Sequence, residues 1–404
     1  LRIIQSVGYP SQNKSHFGSQ DIYATGNDGT NWANGSQSGW IGRFMEQNYA
    51  DTIPTAYPLG IQIGSRTTSL GFHGEIEHGL ALNLSGQDSE NFYSILSGLA
   101  GEPPSNIPNS DYGLELQHII DTDILSNQYS QVISTAFNSG ANSTAANYPD
   151  TNLADQLKTV ARLIRGGIET KVFMVKLGGF DTHNNQNQAS GDIQGKHSVL
   201  MTELSGAIAS FMADLNADNI ADDVLGVTFS EFGRKAKENG SLGTDHGEVA
   251  PMFAFGKPVK SGISGINVDL TEAVETNNFQ VQTVQHDYRD TFATIMQDFI
   301  GATNAVIDST FIENVSNESF VGSKITDLIK AEYAVPEDCY TEGLNIPENT
   351  LENWAVFPNP FQTSFFVISE NQELETHYQL HNHLSQRLLK GVLVFNNGKA
   401  VINA

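Results

Sequence analysis

KVFMVKLGGFDTHNNQ at residues 171–186 and VLGVTFSEFGRKAKENGSLGTDHGEVAPMFAFG at residues 224–256 decide how this chain is read. Three apolar runs of strand character lie in them: KVFMVKL, VLGVTF and MFAF. KVFMVKL is apolar almost without a break, the pattern of a strand covered on both faces. Between the two stretches, Val199, Leu200, Leu204, Ala207, Ile208, Phe211 and Leu215 recur at helical spacing. Strand, helix, strand in that order predicts a parallel sheet with crossover helices, and in such sheets ligands bind outside the carboxyl ends of the strands. Asp181 and His183 follow the first run and Glu231 follows the second. Asp245 and His246 occupy a glycine-flanked loop before the third.

Outward from this centre, Leu153, Leu157, Val160, Ala161 and Ile164 mark an amphipathic helix that stops at Gly166-Gly167. A late helix is expected over residues 287–299. Toward the N-terminus, LRIIQSV reads as a strand entered in its middle, so the chain reads as lacking residues before Leu1. The polar stretch SQNKSHFGSQDIYATGNDGTNW reads as a long loop, and SGWIGRFMEQNYAD as a helix. Loops of that length in compact domains are usually functional. Residues 85–150 are rich in Ser, Asn, Gly and Pro and read as an elaborated insertion. Residues 333–354 read as a linker. From residue 355 to residue 404 short strand-like runs are parted by turn signals, and VINA ends without a closing partner.

The chain has 404 residues, 39% of them hydrophobic, enough for a large core and a smaller module. Apolar runs shorter than the ~20 residues of a membrane span predict no transmembrane segment. A net charge of −25 argues against nucleic acid as a partner. One cysteine, Cys339, excludes an internal disulfide. There is no G-x-S-x-G after a strand, no P-loop and no dinucleotide fingerprint.

Carboxylate oxygen with imidazole nitrogen suits zinc first, with manganese, iron or calcium as the other candidates. Asp181 and His183, two residues apart in extended backbone, face one side. Gly178-Gly179 lets the chain turn before them. Arg234 either pairs with Glu231 at the surface or grips an anionic substrate group. Asp245 is either a ligand or a turn cap. His16 and Asp21, in the early loop, are accessory candidates, and His197 is placed to act from behind a ligand.

The segments SVGYPSQNKSHFGSQDIY, SGWIGRF, LADQLKTVARLI, KVFMVKLGGFDTHNNQ, VTFSEFGRKAKENGSLGTDHG and PMFAFG together resemble the bacterial family known as domain of unknown function 1501. That family is similar to the alkaline phosphatase and sulfatase superfamily. The resemblance runs over about residues 1–330 and implies a doubly wound, mainly parallel α/β domain at 1–332. It implies Asp181, His183, Glu231 and His246 as metal ligands. It also implies a first strand carrying another ligand Asp and a Ser, Thr or Cys nucleophile, so the nucleophile is expected to lie outside the chain given. Glu231-Phe232 stands where the superfamily has an Asp-His pair, which removes one imidazole.

VFPNPF and YQLHNHLSQRLLKG resemble the sorting domain of the type IX secretion system of Bacteroidetes. That implies a small all-β sandwich, incomplete here, and export through the outer membrane to the medium or cell surface. Together these readings anticipate a secreted metal-dependent hydrolase acting on phosphate or sulfate esters of small molecules or glycans. The competing reading is a surface-displayed binding or scaffold protein that keeps the fold without turnover.

Overall fold

The computed structural model describes residues 1–30, 38–50, 55–63, 69–72, 74, 82–84, 110, 129–141, 146–188, 194–311 and 324–336, and five strands between residues 354 and 403. The chain divides into two compact units, Leu1–Thr341 and Glu342–Ala404.

The first unit is mixed helix and strand. Its main sheet has the order β10-β1-β8-β5, with β9 also on β1. The strands are β1 (Arg2–Gly8), β5 (Leu225–Val227), β8 (Ala250–Gly256), β9 (Gly262–Ser264) and β10 (His286–Asp287). β9 and β10 run parallel to β1, whereas β8 runs antiparallel to both β1 and β5. A second sheet joins β2 (Gly60–Ile63), β3 (Leu82–Leu84) and β4 (Val172–Met174), all parallel.

The sheet is therefore mixed, and the strands expected to share one parallel sheet, 171–177 and 224–229, sit in different sheets. The reason lies in the connection from β5 to β8. A hairpin, β6 (Arg234–Glu238) with β7 (Thr244–His246), fills it. Without a crossover helix the returning strand pairs antiparallel.

Among the described residues two apolar clusters form the core. One gathers Ile4, Val7 and Met252 from the main sheet with Ile22, Phe44, Tyr288 and Phe292 from helices. The other gathers Ile61 and Ile63 with Leu153, Leu157, Val160, Phe211 and Leu215. Each such side chain, fully buried, contributes about 1.5–3 kcal/mol. The Asn152–Arg165 helix obeys its sequence pattern, with Thr151 as the N-cap acceptor and Gly166 as the C-cap. The Lys196–Ala217 helix buries Ala207, Phe211 and Leu215 against it. By length and composition that helix is long and apolar enough to cross a membrane, a test that core helices also pass. The late helix Tyr288–Thr294 continues as a π-helical turn, Ile295–Ile300.

The stretch expected as a long loop forms a helix instead, α1 (His16–Thr25), ended by Gly26 in the left-handed region. Its buried residues are Gly18, Ser19, Ile22, Tyr23 and Thr25. Three of those five are Gly, Ser or Thr, so hydrophobic periodicity does not reveal it. The segment after Ser38 forms α2 (Trp40–Asn48) as expected. Of residues 85–150, the described part includes a helical segment at 129–139. The rest of that stretch, most of the 333–354 linker and the Pro358-Asn359-Pro360 turn lie outside the described residues.

The second unit holds β11 (Trp354–Phe357), β12 (Ser364–Ser369), β13 (Thr376–His381), β14 (Arg387–Leu393) and β15 (Lys399–Asn403). They form antiparallel sheets, β11-β12-β15 and β13-β14.

Candidate metal centre

Three chain segments meet at Asp181. The first is the exit from β4. Gln156, on the Asn152–Arg165 helix, donates to the Lys176 carbonyl over 2.9 Å and accepts from its N–H over 2.8 Å, standing in for a strand partner. Gly179, at φ +99°, then turns the chain in a conformation costly for other residues. Asp181 and His183 follow in a tight turn, with the His183 N–H donating to the Asp181 carbonyl over 3.0 Å. The pair faces one point as expected, but through a turn rather than extended backbone. His183 Nε2 lies 2.9 Å from Asp181 Oδ1.

The second segment is the β6–β7 hairpin. Its register sets Arg234 opposite His246, and puts Asp245 and His246 on a strand rather than in a loop. The Thr244 N–H donates to the Thr182 carbonyl over 3.2 Å, which fixes the hairpin on the His183 turn. Gly243 sits so close to the His183 backbone that a Cβ there would collide with it. His246 Nε2 reaches Asp181 Oδ1 at 3.0 Å and His183 Nε2 at 3.0 Å.

The third segment is the start of α1. His16 places Nε2 3.2 Å from Asp181 Oδ2. Its ring packs on Phe232 and His246, with centroids 4.8 and 4.6 Å away. α1 thus supplies an imidazole beside Glu231. His16, Asp181 and His246 each bring a ligand atom within 4.8 Å of one another, and His183 joins them at the distances above.

Behind the imidazoles stands a set of acceptors. His16 Nδ1 lies 2.8 Å from Glu231 Oε1, and Gln20 donates to the same oxygen over 3.2 Å. His183 Nδ1 lies 3.2 Å from Asp245 Oδ1, which also accepts from Asn239 over 3.1 Å. His246 Nδ1 lies 2.7 Å from the Lys14 carbonyl. Arg234 donates from Nη1 to Asp181 Oδ1 over 2.6 Å, and its Nε donates to Thr244 Oγ1 over 3.1 Å.

Charge follows from these contacts. Burial works to raise the Asp181 carboxyl, but the Arg234 and His16 hydrogen bonds and the nearby imidazoles outweigh it and pull it down to about 2. Glu231 is likewise lowered: burial opposes ionisation, and bonds from His16, its own backbone and Gln20 prevail. Asp245 is lowered by the Asn239 bond foremost, with His183 and Lys235 adding to it. Burial alone would depress His16, yet its bonds to Glu231 and Asp181 raise it. Ionised carboxylates beside imidazole nitrogens are the state in which such a site accepts a divalent cation.

Of the expected residues, Asp181, His183, His246, His16 and Arg234 come together directly, and Glu231 and Asp245 touch the cluster through His16 and His183. Asp21 lies further along α1 and its side chain bonds to none of these groups. His197 heads the Lys196–Ala217 helix with its ring edge-on to Phe180, centroids 6.1 Å apart, and does not reach Asp181. Sequence reasoning passes over Lys14, Gln20, Asn239, Gly243 and Thr244. Only Gly243 carries a local signal, as a glycine in a turn-rich run.

The donor set suits a first-row divalent ion, which takes carboxylate oxygen with imidazole nitrogen. No curated protein and no solved structure matches the chain. Residues 130–305, which carry Asp181, His183, Glu231, Arg234, Asp245 and His246 but not Lys14, His16 or Gln20, match the family described as protein of unknown function (DUF1501).

Proposed function

We propose that this chain is a metal-dependent hydrolase of phosphate or sulfate esters, on a core whose finer architecture is the doubly wound, alkaline-phosphatase-like one. The observation that supports it is Asp181, faced by the imidazoles of His183, His246 and His16 and bonded to Arg234. Those residues would hold a divalent ion, zinc first, then manganese or iron. When bound, such an ion polarises an ester oxygen and steadies the charge that develops on the leaving oxygen. Arg234, braced at Thr244, offers its planar guanidinium to the ester anion beside the ligand carboxylate. Lys14 and Lys235 add positive charge at the edge of the site, within 2.9 Å of Glu248 and 3.5 Å of Asp245 respectively. Each of these lysines is matched by its carboxylate, so the charge offered to an anionic ester would come chiefly from the bound ion.

By the C-terminal resemblance, the proposed partner is the type IX secretion machinery and the proposed location is the medium or cell surface. The test is elemental analysis of purified protein, followed by a panel of aryl phosphates and sulfates. Stoichiometric transition metal and a turnover abolished in His183→Ala are the expected results. Metal-free protein, or undiminished turnover in that variant, overturns the proposal.

One observation favours a second reading, a binding protein without turnover. A cavity of about 500 Å³ lined by Met201, Leu204, Ile208, Met212, Phe253 and Phe255 includes no residue of the cluster. Metal without turnover on the whole panel would select this reading.

A further inference from the structure

We infer that the metal-holding set of this chain is Asp181 with the three imidazoles of His16, His183 and His246. Glu231 and Asp245 are then positioning residues that act through His16 and His183, rather than ligands themselves. This rests on the metal reading above and departs from the set Asp181, His183, Glu231 and His246 that the sequence resemblance implies.

The argument starts from the two nitrogens of each ring. A neutral imidazole carries one N–H, and a metal takes the bare nitrogen. Nδ1 of His16 faces a carboxylate oxygen of Glu231, Nδ1 of His183 faces one of Asp245, and Nδ1 of His246 faces the Lys14 carbonyl. All three partners only accept, so a neutral ring that turns Nε2 to a cation carries its single N–H on Nδ1, whereas without an ion the Asp181 carboxylate can accept from Nε2. All three Nε2 atoms then turn to Asp181, at 3.2, 2.9 and 3.0 Å. His183 and His246 bring their Nε2 atoms to 3.0 Å from each other. Two bare nitrogens at that distance repel, and a shared cation makes them neighbours in one ligand set. Adjacent donors around a tetrahedral zinc lie ~3.3 Å apart, from bonds of ~2.0 Å.

Glu231 is engaged elsewhere. Its Oε1 accepts from His16 and Gln20, and its Oε2 accepts from Ser230 over 3.2 Å. Asp245 spends Oδ1 on Asn239 and His183, with Lys235 3.5 Å from Oδ2. An imidazole backed by a carboxylate is the usual support of a metal-bound histidine, fixing ring orientation and raising basicity. Three nitrogens and one carboxylate suit zinc, manganese or iron and disfavour calcium, which takes shells of oxygen.

The experiment strips the full chain of metal and titrates it with Zn²⁺ for affinity and Co²⁺ for its visible ligand-field spectrum. His16→Ala is expected to lower Zn²⁺ affinity by at least 100-fold and to change the Co²⁺ spectrum. Glu231→Gln and Asp245→Asn are expected to weaken affinity by about 10–100-fold while leaving the spectrum that of the wild type. Asp245 is well exposed, so Asp245→Asn carries the comparison should Glu231→Gln fail to fold. A His16→Ala protein that binds as the wild type does, or a Glu231→Gln or Asp245→Asn protein with an altered spectrum, overturns the ligand assignment alone. A wild-type chain that takes up neither ion overturns the metal reading and this assignment together.

Discussion

Arg234 Nη1 stands 2.6 Å from Asp181 Oδ1, the same oxygen that His183 and His246 approach. Thr244 holds the rest of the guanidinium through its hydroxyl and its carbonyl. A cation braced in this way keeps Asp181 ionised.

Arg234→Gln is therefore expected to cost catalysis more than metal. On an active ester substrate, kcat/KM should fall by roughly 100-fold, the scale seen when a single oxyanion partner is removed. Metal content by elemental analysis should remain stoichiometric. Loss of the metal with the arginine would show that Arg234 serves the ligand carboxylate and not the substrate.

Gly243→Ala tests the seat of the hairpin. The added methyl meets the His183 and Thr182 backbone, so β7 must move off the turn that carries Asp181 and His183. Expected outcomes are a destabilisation of about 1–3 kcal/mol by urea unfolding and a Zn²⁺ affinity reduced by at least tenfold. Wild-type affinity in this variant would mean that the hairpin does not position His246.

Asp290 supplies a pH test away from the metal centre. Burial foremost, and then the Asp287 charge, raise its carboxyl from 3.8 to about 7. Because the folded value lies above the unfolded one, its contribution is fully present below the unfolded value near 3.8 and is lost as pH rises through about 7. Asp290→Asn keeps an oxygen that can accept from the Asp287 N–H, as Asp290 does over 3.2 Å, and cannot ionise. Between pH 5 and pH 8 the wild type should lose on the order of 1–3 kcal/mol more than the variant. Parallel pH profiles of unfolding free energy for the two proteins would contradict the raised carboxyl.

Arg43 ties the N-terminal helices to the end of the unit. Its buried guanidinium donates to the carbonyls of Thr25, Ser38 and Thr310 over 2.6–2.9 Å. Arg43→Ala strips partners from all three buried carbonyls and leaves a void. A loss of about 3–5 kcal/mol is expected, read from urea unfolding. A loss under 1 kcal/mol would show that water takes over those bonds.

Much of this was open to reading from the linear chain because local patterns carried it. The 3.6-residue repeat of Leu153, Leu157, Val160 and Ala161 marks its helix, and Gly166 ends it. Gly178-Gly179 followed by Asp181 and His183 announces a turn that presents both side chains. α1 escapes such reading because Gly18 and Ser19 are buried by close approach rather than by hydrophobicity. The direction of β8 escapes it because the β6–β7 hairpin replaces a crossover, and its polar sequence, RKAKENGSLGTDH, reads equally as loop.

By itself the sequence determined the strongly periodic helices, the acidic charge and the residue types able to hold a metal, since each depends on composition or short spacing. Only the tertiary structure decided their order around Asp181. His16 is 165 positions away in number from Asp181 and belongs to a helix without a strong apolar stripe, yet the packing of its ring on Phe232 sets its Nε2 3.2 Å from the carboxylate. Whether Glu231 touches an ion or a ring depends on the place of that imidazole, a contact that no local pattern encodes.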